Sequence, residues 1–238
     1  MTGARLMYFQ HSRALWSDHP DLAAGVVFAT GITGDVSVDS RIARFTAIAE
    51  ARLTEGPESE FPEIQAWRRT FSKMGLKPTQ YRCASEALLR RFKKERALPR
   101  IHPLIDLCNA ISLAFAIPVA VFDLANVSEG LEVRHADGDE SYLTFSGETE
   151  HPDPHEVIFA DAARRAHARR WTNRQSGLSA VRDSTATVLI VAEAMHDSAA
   201  ADVAKLTATL ADELTATWPT KPETATPTPA SPRLEFPT

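Results

Sequence analysis

The chain has 238 residues and a formal net charge of −5, and 44% of its residues are hydrophobic and 24% charged. This composition is typical of a soluble globular protein with enough apolar residues for a core, and the net charge argues against a surface that binds polyanions throughout. No apolar run approaches the roughly 18 residues that span a bilayer, and the N-terminus lacks a signal pattern, so we expect a cytoplasmic protein.

The N-terminal third of the chain predicts core elements to which we assign no chemistry. Residues 1–20 show no clear pattern, whereas residues 22–32 (LAAGVVFATGI) are typical of a buried strand. A helix capped by Asp39 or Ser40 follows and ends at Gly56. A second helix starts after a proline a few residues later and turns apolar side chains to one face.

The most regular pattern covers residues 71–124 and predicts two helices followed by a short strand. The first helix begins near Ser85, which can cap it, and the second begins at Pro103, a residue suited to a first helical turn. Residues 119–122 are typical of a buried strand, which places Asp123 at its end. Asn109 and Ser112 share one face of the second helix, so this region predicts a small polar pocket.

Basic residues are concentrated in two segments. Between residues 82 and 100, seven arginines and lysines stand against two glutamates, and residues 162–174 hold five arginines and no acid. Two such segments on an acidic background could form a local phosphate-binding patch, although solvated surface faces explain them equally well.

The second half of the chain predicts short strands and one long helix. Residues 131–135, 141–145, 157–160 and 188–192 have strand patterns, and Asp197 or Ser198 can cap the helix that follows. From Pro219 onward, prolines and threonines dominate and predict a disordered tail. We therefore predict one folded domain over residues 1–218, followed by a tail over residues 219–238.

Strands that follow helices, rather than alternate with them, indicate an α+β fold. We expect antiparallel or mixed sheets in a compact, sandwich-like core flanked by helices.

The usual signatures of metal sites and covalent catalysis are weak. Prolines between His151 and His155 prevent a helical zinc pair, no G-x-S-x-G turn surrounds a serine, and Cys83 and Cys108 are more typical of core residues than of a disulfide. We therefore predict no metal and no cofactor.

Several separated motifs carry a family resemblance, and they occur in order between residues 67 and 193. They are GLKP, R-x-x-x-EALLRR, LPRIHPLIDLCNAISL, P-x-x-x-FDL, Arg134 with HADGDE, EVIFAD and RWTNRQS. Together they resemble the editing module of the phenylalanyl-tRNA synthetase β subunit, the paired third and fourth B domains, and its free-standing homologues. The resemblance implies a compact fold of sheets flanked by helices.

The resemblance also implies hydrolysis of mischarged aminoacyl-tRNA in trans, without aminoacylation. An aminoacyl ester is already activated, so a positioned water, an oxyanion donor and an amino-acid pocket suffice. We expect the following residues to contact the substrate: Asn109, Asp123, Glu86, Ser112, Asp161, Trp171, Asn173 and Gln175. We expect the following to contact tRNA: Arg82, Arg90, Arg91, Arg170 and Arg174.

Two departures leave the function open. No synthetase catalytic core is evident, and His102 stands where the family pattern has asparagine, which affects the expected helix start or pocket rim. The alternatives are a non-catalytic module that binds RNA or an amino-acid-like ligand, and a hydrolase of an unrelated small ester or amide. The amino acid recognised cannot be inherited from the synthetase.

Overall fold

Six helices surround the sheets of this protein, whose computed structural model describes residues 6–237. Residues 1–5 and 238, which belong to the predicted domain and tail, lie outside the described residues. The helices are α1 (Arg13–Asp18), α2 (Asp39–Glu55), α3 (Pro62–Lys73), α4 (Ala84–Glu95), α5 (Pro103–Phe115) and α6 (Ala199–Thr217). No helix within the described range is long and apolar enough to cross a membrane.

The strands form two main sheets and a hairpin. They are β1 (Leu6–His11), β2 (Ala23–Thr30), β3 (Val119–Asp123), β4 (Gly130–His135), β5 (Tyr142–Leu143), β6 (Thr149–Glu150), β7 (Val157–Asp161), β8 (Ala166–Arg169), β9 (Arg174–Gln175), β10 (Thr187–Ala194), β11 (Glu223–Ala225) and β12 (Arg233–Pro237). One sheet has the order β12-β1-β4-β7-β8-β9, the other β11-β2-β10-β3, and β5 pairs with β6. The β1–β4 pair is parallel and the neighbouring pairs are antiparallel, so the six-stranded sheet is mixed.

In the four-stranded sheet, β2 and β10 are buried on both faces, which explains their nearly continuous apolar sequences. Phe122 points to the six-stranded sheet, where its ring lies 5.1 Å from that of Phe159. Val121, the preceding residue, packs instead into the core formed with α2, α5 and α6. This alternation follows from the two-residue period of a strand and gives the predicted α+β sandwich flanked by helices.

The predicted helices of residues 39–115 are confirmed, with changes at their starts. Neither α2 nor α4 has a side-chain cap, and Ser85 is buried in the first turn of α4. His102 caps α5, because its Nδ1 accepts a hydrogen bond from the Leu104 amide at 3.2 Å. A histidine nitrogen therefore does here what an asparagine oxygen commonly does at an N-cap.

The prediction of a disordered tail differs from the structure. In the tail, β11 pairs with β2 and β12 pairs with β1, which adds an edge strand to each main sheet. Phe236 is buried and its ring stacks on Phe28 at 5.3 Å. Backbone hydrogen bonds to two existing strands, with one buried aromatic anchor, order a segment whose composition alone is too polar to fold.

Candidate active site

A small cavity of about 70 Å³ lies where β3, β9 and β10 meet the start of α4. Its wall consists mainly of apolar groups and a few polar ones: Ala84, Pro118, Val119, Ala120, Phe159, Ala168, Trp171, Thr172, Asn173, Arg174, Gln175, Val191 and Glu193. A mostly apolar space with a few polar groups is the usual form of a small-molecule site.

The carboxylate of the cavity belongs to Glu193, which is only 2% exposed. Its Oε1 lies 2.7 Å from Nε2 of His11, which is also buried, and its backbone oxygen accepts a hydrogen bond from Trp67 Nε1 at 3.3 Å. The rings of Phe9 and Trp16 pack against His11 at 5.1 and 5.0 Å. These contacts fix a buried carboxylate in an apolar wall, where an ammonium or an N–H donor would bind favourably.

A left-handed turn between β8 and β9 forms another part of the wall. Arg170 and Trp171 have φ angles of 46° and 58°, which are strained values for residues with bulky side chains. Three hydrogen bonds from backbone amides hold the turn: Arg170 N donates to the Glu156 carboxylate (Oε1) at 2.9 Å, Trp171 N to Val157 O at 2.7 Å, and Ala84 N to Thr172 O at 2.8 Å. The surrounding structure therefore imposes the strain and fixes the indole of Trp171 in the wall.

Two buried polar atoms of this wall have no hydrogen-bond partner among the described residues. They are Trp171 Nε1 and Thr172 Oγ1. Buried polar groups are almost always satisfied, so these two atoms are unusual in belonging to residues of one cavity wall and lacking a partner. Both can donate a hydrogen bond to a carbonyl oxygen.

Amide side chains close the rim. Gln175 Nε2 donates to Val121 O at 2.5 Å, and Asn173 Nδ2 donates to Arg82 O at 2.8 Å. Each amide is thereby oriented by its nitrogen, which leaves its oxygen available as an acceptor. Trp171, Asn173 and Gln175 are three of the eight predicted substrate residues, and the structure brings them together here.

Comparison with known proteins gives the family. A model of the B3/4 domain matches residues 66–213, which is more than half of the chain. The chain belongs to the B3/4 domain family.

Curated relatives match shorter parts of the B3/4 chain. This chain is 40% identical over 57 residues to the phenylalanine–tRNA ligase beta subunit of Coxiella burnetii. It is 33% identical over 78 residues to the same subunit of Chromobacterium violaceum. These matches cover 24% and 33% of the chain but only 7% and 10% of the subunits.

A solved structure is similar over a longer stretch. It is an N-terminal fragment of the phenylalanyl-tRNA synthetase beta-subunit from Pyrococcus horikoshii, with 10% identity and a TM-score of 0.46. The similarity covers 90% of the B3/4 chain and 49% of the fragment.

The structure does not bring the other five predicted substrate residues to this cavity. Asp123 accepts hydrogen bonds from Ala125 N at 3.0 Å and Thr185 Oγ1 at 2.7 Å, so it caps the turn that follows β3. Ser112 Oγ donates to Ile117 O at 2.6 Å. Asn109 is half-buried on α5, outside the cavity wall.

Glu86 and Asp161 are engaged in internal ion pairs. Glu86 is fully buried, and Arg68 Nη2 lies 2.5 Å from its Oε1. Burial alone would raise the pKa of Asp161, but hydrogen bonds from His167 and Arg165 hold that pKa well below its usual range. The proposed contacts of all five residues with a substrate stay predictions, and the geometry favours structural roles for these two acids.

Sequence reasoning missed Glu193, Thr172 and His11. Glu193 did carry a signal, because a carboxylate that directly follows the apolar residues 188–192 must be either exposed or paired. His11 carried none, since its partner is 182 residues away in the chain.

The predicted phosphate-binding arginines are largely neutralised. Within the described residues, four of them form ion pairs with glutamates. The nitrogen–oxygen distances are 3.5 Å for Arg82–Glu86, 3.2 Å for Arg90–Glu58, 2.8 Å for Arg91–Glu95 and 3.0 Å for Arg174–Glu150. The guanidinium of Arg170 instead lies 4.8 Å from the centre of the Tyr81 ring. Paired arginines contribute less to polyanion binding, so the charge count in the sequence overstates the positive surface.

Three carboxylates near the end of β4 come within metal-binding reach of one another. Ligand atoms of Asp137, Asp139 and Glu140 all lie within 4.8 Å. Arg134 Nη1 is 2.6 Å from Glu140 Oε1, and Arg164 Nη2 is 3.1 Å from Asp137 Oδ2. Because arginines already balance this acidic cluster, we assign it no metal.

A second, open cleft of about 520 Å³ lies where the C-terminal end of α1, α3 and the start of α6 meet. His19 lines it and packs edge-on against Trp171 at 4.9 Å. Burial, followed by the nearby charge of Lys73, lowers the pKa of His19 to about 4. The imidazole is therefore neutral at pH 7.

We expect the free energy of unfolding to fall as the pH decreases from about 6.5 to about 4. Over this range the unfolded chain binds a proton at residue 19 that the folded chain does not. The free energy of unfolding is therefore highest above about pH 6.5, as far as His19 is concerned, and it decreases by up to ~3 kcal/mol as the pH falls to about 4. In urea unfolding at a series of pH values, His19→Gln should flatten the profile. His155→Asn, a change at an exposed histidine, should leave it as in the wild type. Identical profiles for all three proteins would contradict the buried neutral state of His19.

Proposed function

We propose that this chain hydrolyses the ester of mischarged aminoacyl-tRNA in trans. The observation that carries the proposal is the buried carboxylate of Glu193, held by His11 in the wall of an otherwise apolar cavity. Family membership supports it, because the curated relatives are beta subunits of phenylalanine–tRNA ligase. The proposal places the protein in the cytoplasm, where charged tRNAs are used.

In this proposal the cavity receives the aminoacyl group. Glu193 binds the α-ammonium, and a space of about 70 Å³ suits a small amino-acid side chain. The Trp171 indole N–H and the Thr172 hydroxyl donate to the ester carbonyl and stabilise the oxyanion that develops when water attacks. The free amide oxygen of Gln175 orients that water.

The proposed reaction needs no nucleophilic side chain. The described cavity wall contains no serine or cysteine. Burial raises the pKa of Cys83 to about 11 and that of Cys108 to about 12, so neither thiol ionises at neutral pH. Water is thus the nucleophile. Its oxygen bonds to the carbonyl carbon, the bond between that carbon and the ribose oxygen breaks, and the ribose oxygen leaves with a proton from the water.

A panel of aminoacyl-tRNAs tests the proposal, with ester loss followed at a series of protein concentrations. We expect accelerated loss for one or a few members. Ala120→Leu adds methyl groups at the cavity wall and should lower that rate by about 10-fold or more. Ala87→Leu, an equal change at an exposed position of α4, should leave it unchanged. Spontaneous loss rates across the whole panel would contradict the proposal.

The second candidate is a non-catalytic module that binds RNA or an amino-acid-like ligand. It is favoured by the Glu193 carboxylate, which is already bonded to His11 and so is poorly placed to accept a proton from water. This candidate predicts slower ester loss than the spontaneous rate, because a bound ester is protected from solvent.

A further inference from the structure

The tip of the β5–β6 hairpin carries an exposed aromatic side chain. Phe145 is 74% exposed, more than Leu6, Ile48 or Ile101, the other exposed large apolar residues among the described ones. The tip is nevertheless ordered, since Thr144 N donates to Glu148 O at 2.8 Å and Gly147 N donates to Thr144 O at 3.1 Å. An aromatic ring with this exposure gains little packing energy from the fold.

The hairpin lies directly against the segment that leaves the cavity. Gly177 N and Ser176 Oγ donate to Leu143 O at 2.9 and 2.8 Å, and Tyr142 Oη donates to Gln175 O at 2.7 Å. A Cβ on Gly177 would lie 2.9 Å from Thr144 O, so the close approach requires glycine. The hairpin that carries Phe145 is therefore bonded to the segment that contains Gln175, a residue of the cavity wall.

An unneutralised cation is anchored at the same glycine. Arg182 is exposed, and its Nη2 donates to Gly177 O at 2.9 Å. It makes no ion pair with a carboxylate of the described residues, unlike Arg174, whose Nη1 lies 3.0 Å from Glu150 Oε2. Phe145 approaches the same glycine, because a Cβ on Gly177 would lie 3.4 Å from Phe145 Cα. The two residues thus bring a guanidinium with free donors and an exposed aromatic side chain, the two groups that bind a nucleotide, to one glycine.

We propose that Phe145 and Arg182 form a nucleotide subsite at the mouth of the cavity. An unpaired base stacks on the Phe145 ring, and a backbone phosphate next to that base binds the Arg182 guanidinium. The inference rests on the proposed function, because a cavity that holds the amino acid places the unpaired end of the attached RNA at its mouth. Stacking accepts any base, so this subsite contributes affinity rather than sequence selectivity.

The test measures binding by fluorescence anisotropy, with a 5′-fluorescein-labelled single-stranded RNA hexanucleotide that ends in adenosine. We expect Phe145→Ala to weaken binding by about 10-fold or more and Phe145→Tyr to retain it. Arg182→Gln should weaken binding and lower its dependence on salt concentration. The matched control is Ile101→Ala, which removes a 63% exposed apolar side chain elsewhere and should bind like the wild type.

The outcomes separate this inference from the proposed function. Absence of RNA binding by the wild type, or equal affinities of wild type and Phe145→Ala, overturns the subsite, even where the wild type hydrolyses an aminoacyl-tRNA. A selective loss in Phe145→Ala supports the subsite, even where no ester is hydrolysed and the deacylase proposal fails.

Discussion

Glu193→Gln is expected to lower kcat/KM for ester loss by roughly 30-fold or more while the protein remains folded. The substitution removes the carboxylate that pairs with the substrate ammonium in the proposed complex. Removal of one partner from such a buried charged pair commonly costs about 2–5 kcal/mol. Glutamine keeps the volume of the side chain and an oxygen that accepts from His11 Nε2, now 2.7 Å from Glu193 Oε1. The loss should therefore concern binding and catalysis rather than folding.

The measurement compares ester loss with thermal unfolding in the same preparations. Glu213→Gln is the matched control, because Glu213 is also a buried carboxylate. It lies on α6, outside the cavity wall, and its Oε2 is 2.6 Å from Arg41 Nη1. We expect this control to lower the unfolding temperature and to leave kcat/KM near that of the wild type. Full activity in Glu193→Gln would show that the cavity carboxylate does not hold the substrate.

Much of the secondary structure follows from local patterns. The apolar stripe after Pro103 gave α5 at Pro103–Phe115, and the run from residue 188 lies within β10. Such patterns depend on neighbours a few residues apart, which the sequence displays directly. The resemblance across residues 67–193 then gave a family that the B3/4 match confirms.

The candidate site was harder to predict, because it depends on contacts between distant segments. Asp123 and Gln175 both carry polar groups near β3, yet Asp123 turns inward to cap its own strand end while Gln175 reaches across to Val121 O. The burial of Glu193 is tolerated because its carboxylate is bonded to His11, which lies on β1, 182 residues earlier in the chain. A linear pattern contains no information about such a partner.

Charge in the sequence was likewise an incomplete guide to surface potential. Arg90 and Lys93 of α4 both pair with Glu58, which lies more than 30 residues earlier, at 3.2 and 3.3 Å. The free cation that matters for the proposed subsite, Arg182, stands alone between non-basic neighbours. Its importance comes from its contact with Gly177 and not from a cluster of like charges.

Phe236→Ala is expected to lower the free energy of unfolding by about 3–5 kcal/mol, the usual cost of removing a buried phenylalanine ring. Phe236 is 3% exposed and stacks on Phe28. The substitution removes the main apolar anchor of β12, whose remaining contact with β1 is chiefly backbone pairing. Urea unfolding followed by tryptophan fluorescence measures the change.

Glu235→Ala, a change at an exposed position of the same strand, is the control and should alter stability by no more than about 0.5 kcal/mol. Equal unfolding midpoints for Phe236→Ala and the wild type would mean that the tail does not dock and is disordered, as its composition predicts. A large loss has a further consequence. Because β1 carries His11, undocking β12 leaves this strand at the edge of its sheet, and the position of Glu193 then depends on a less constrained partner.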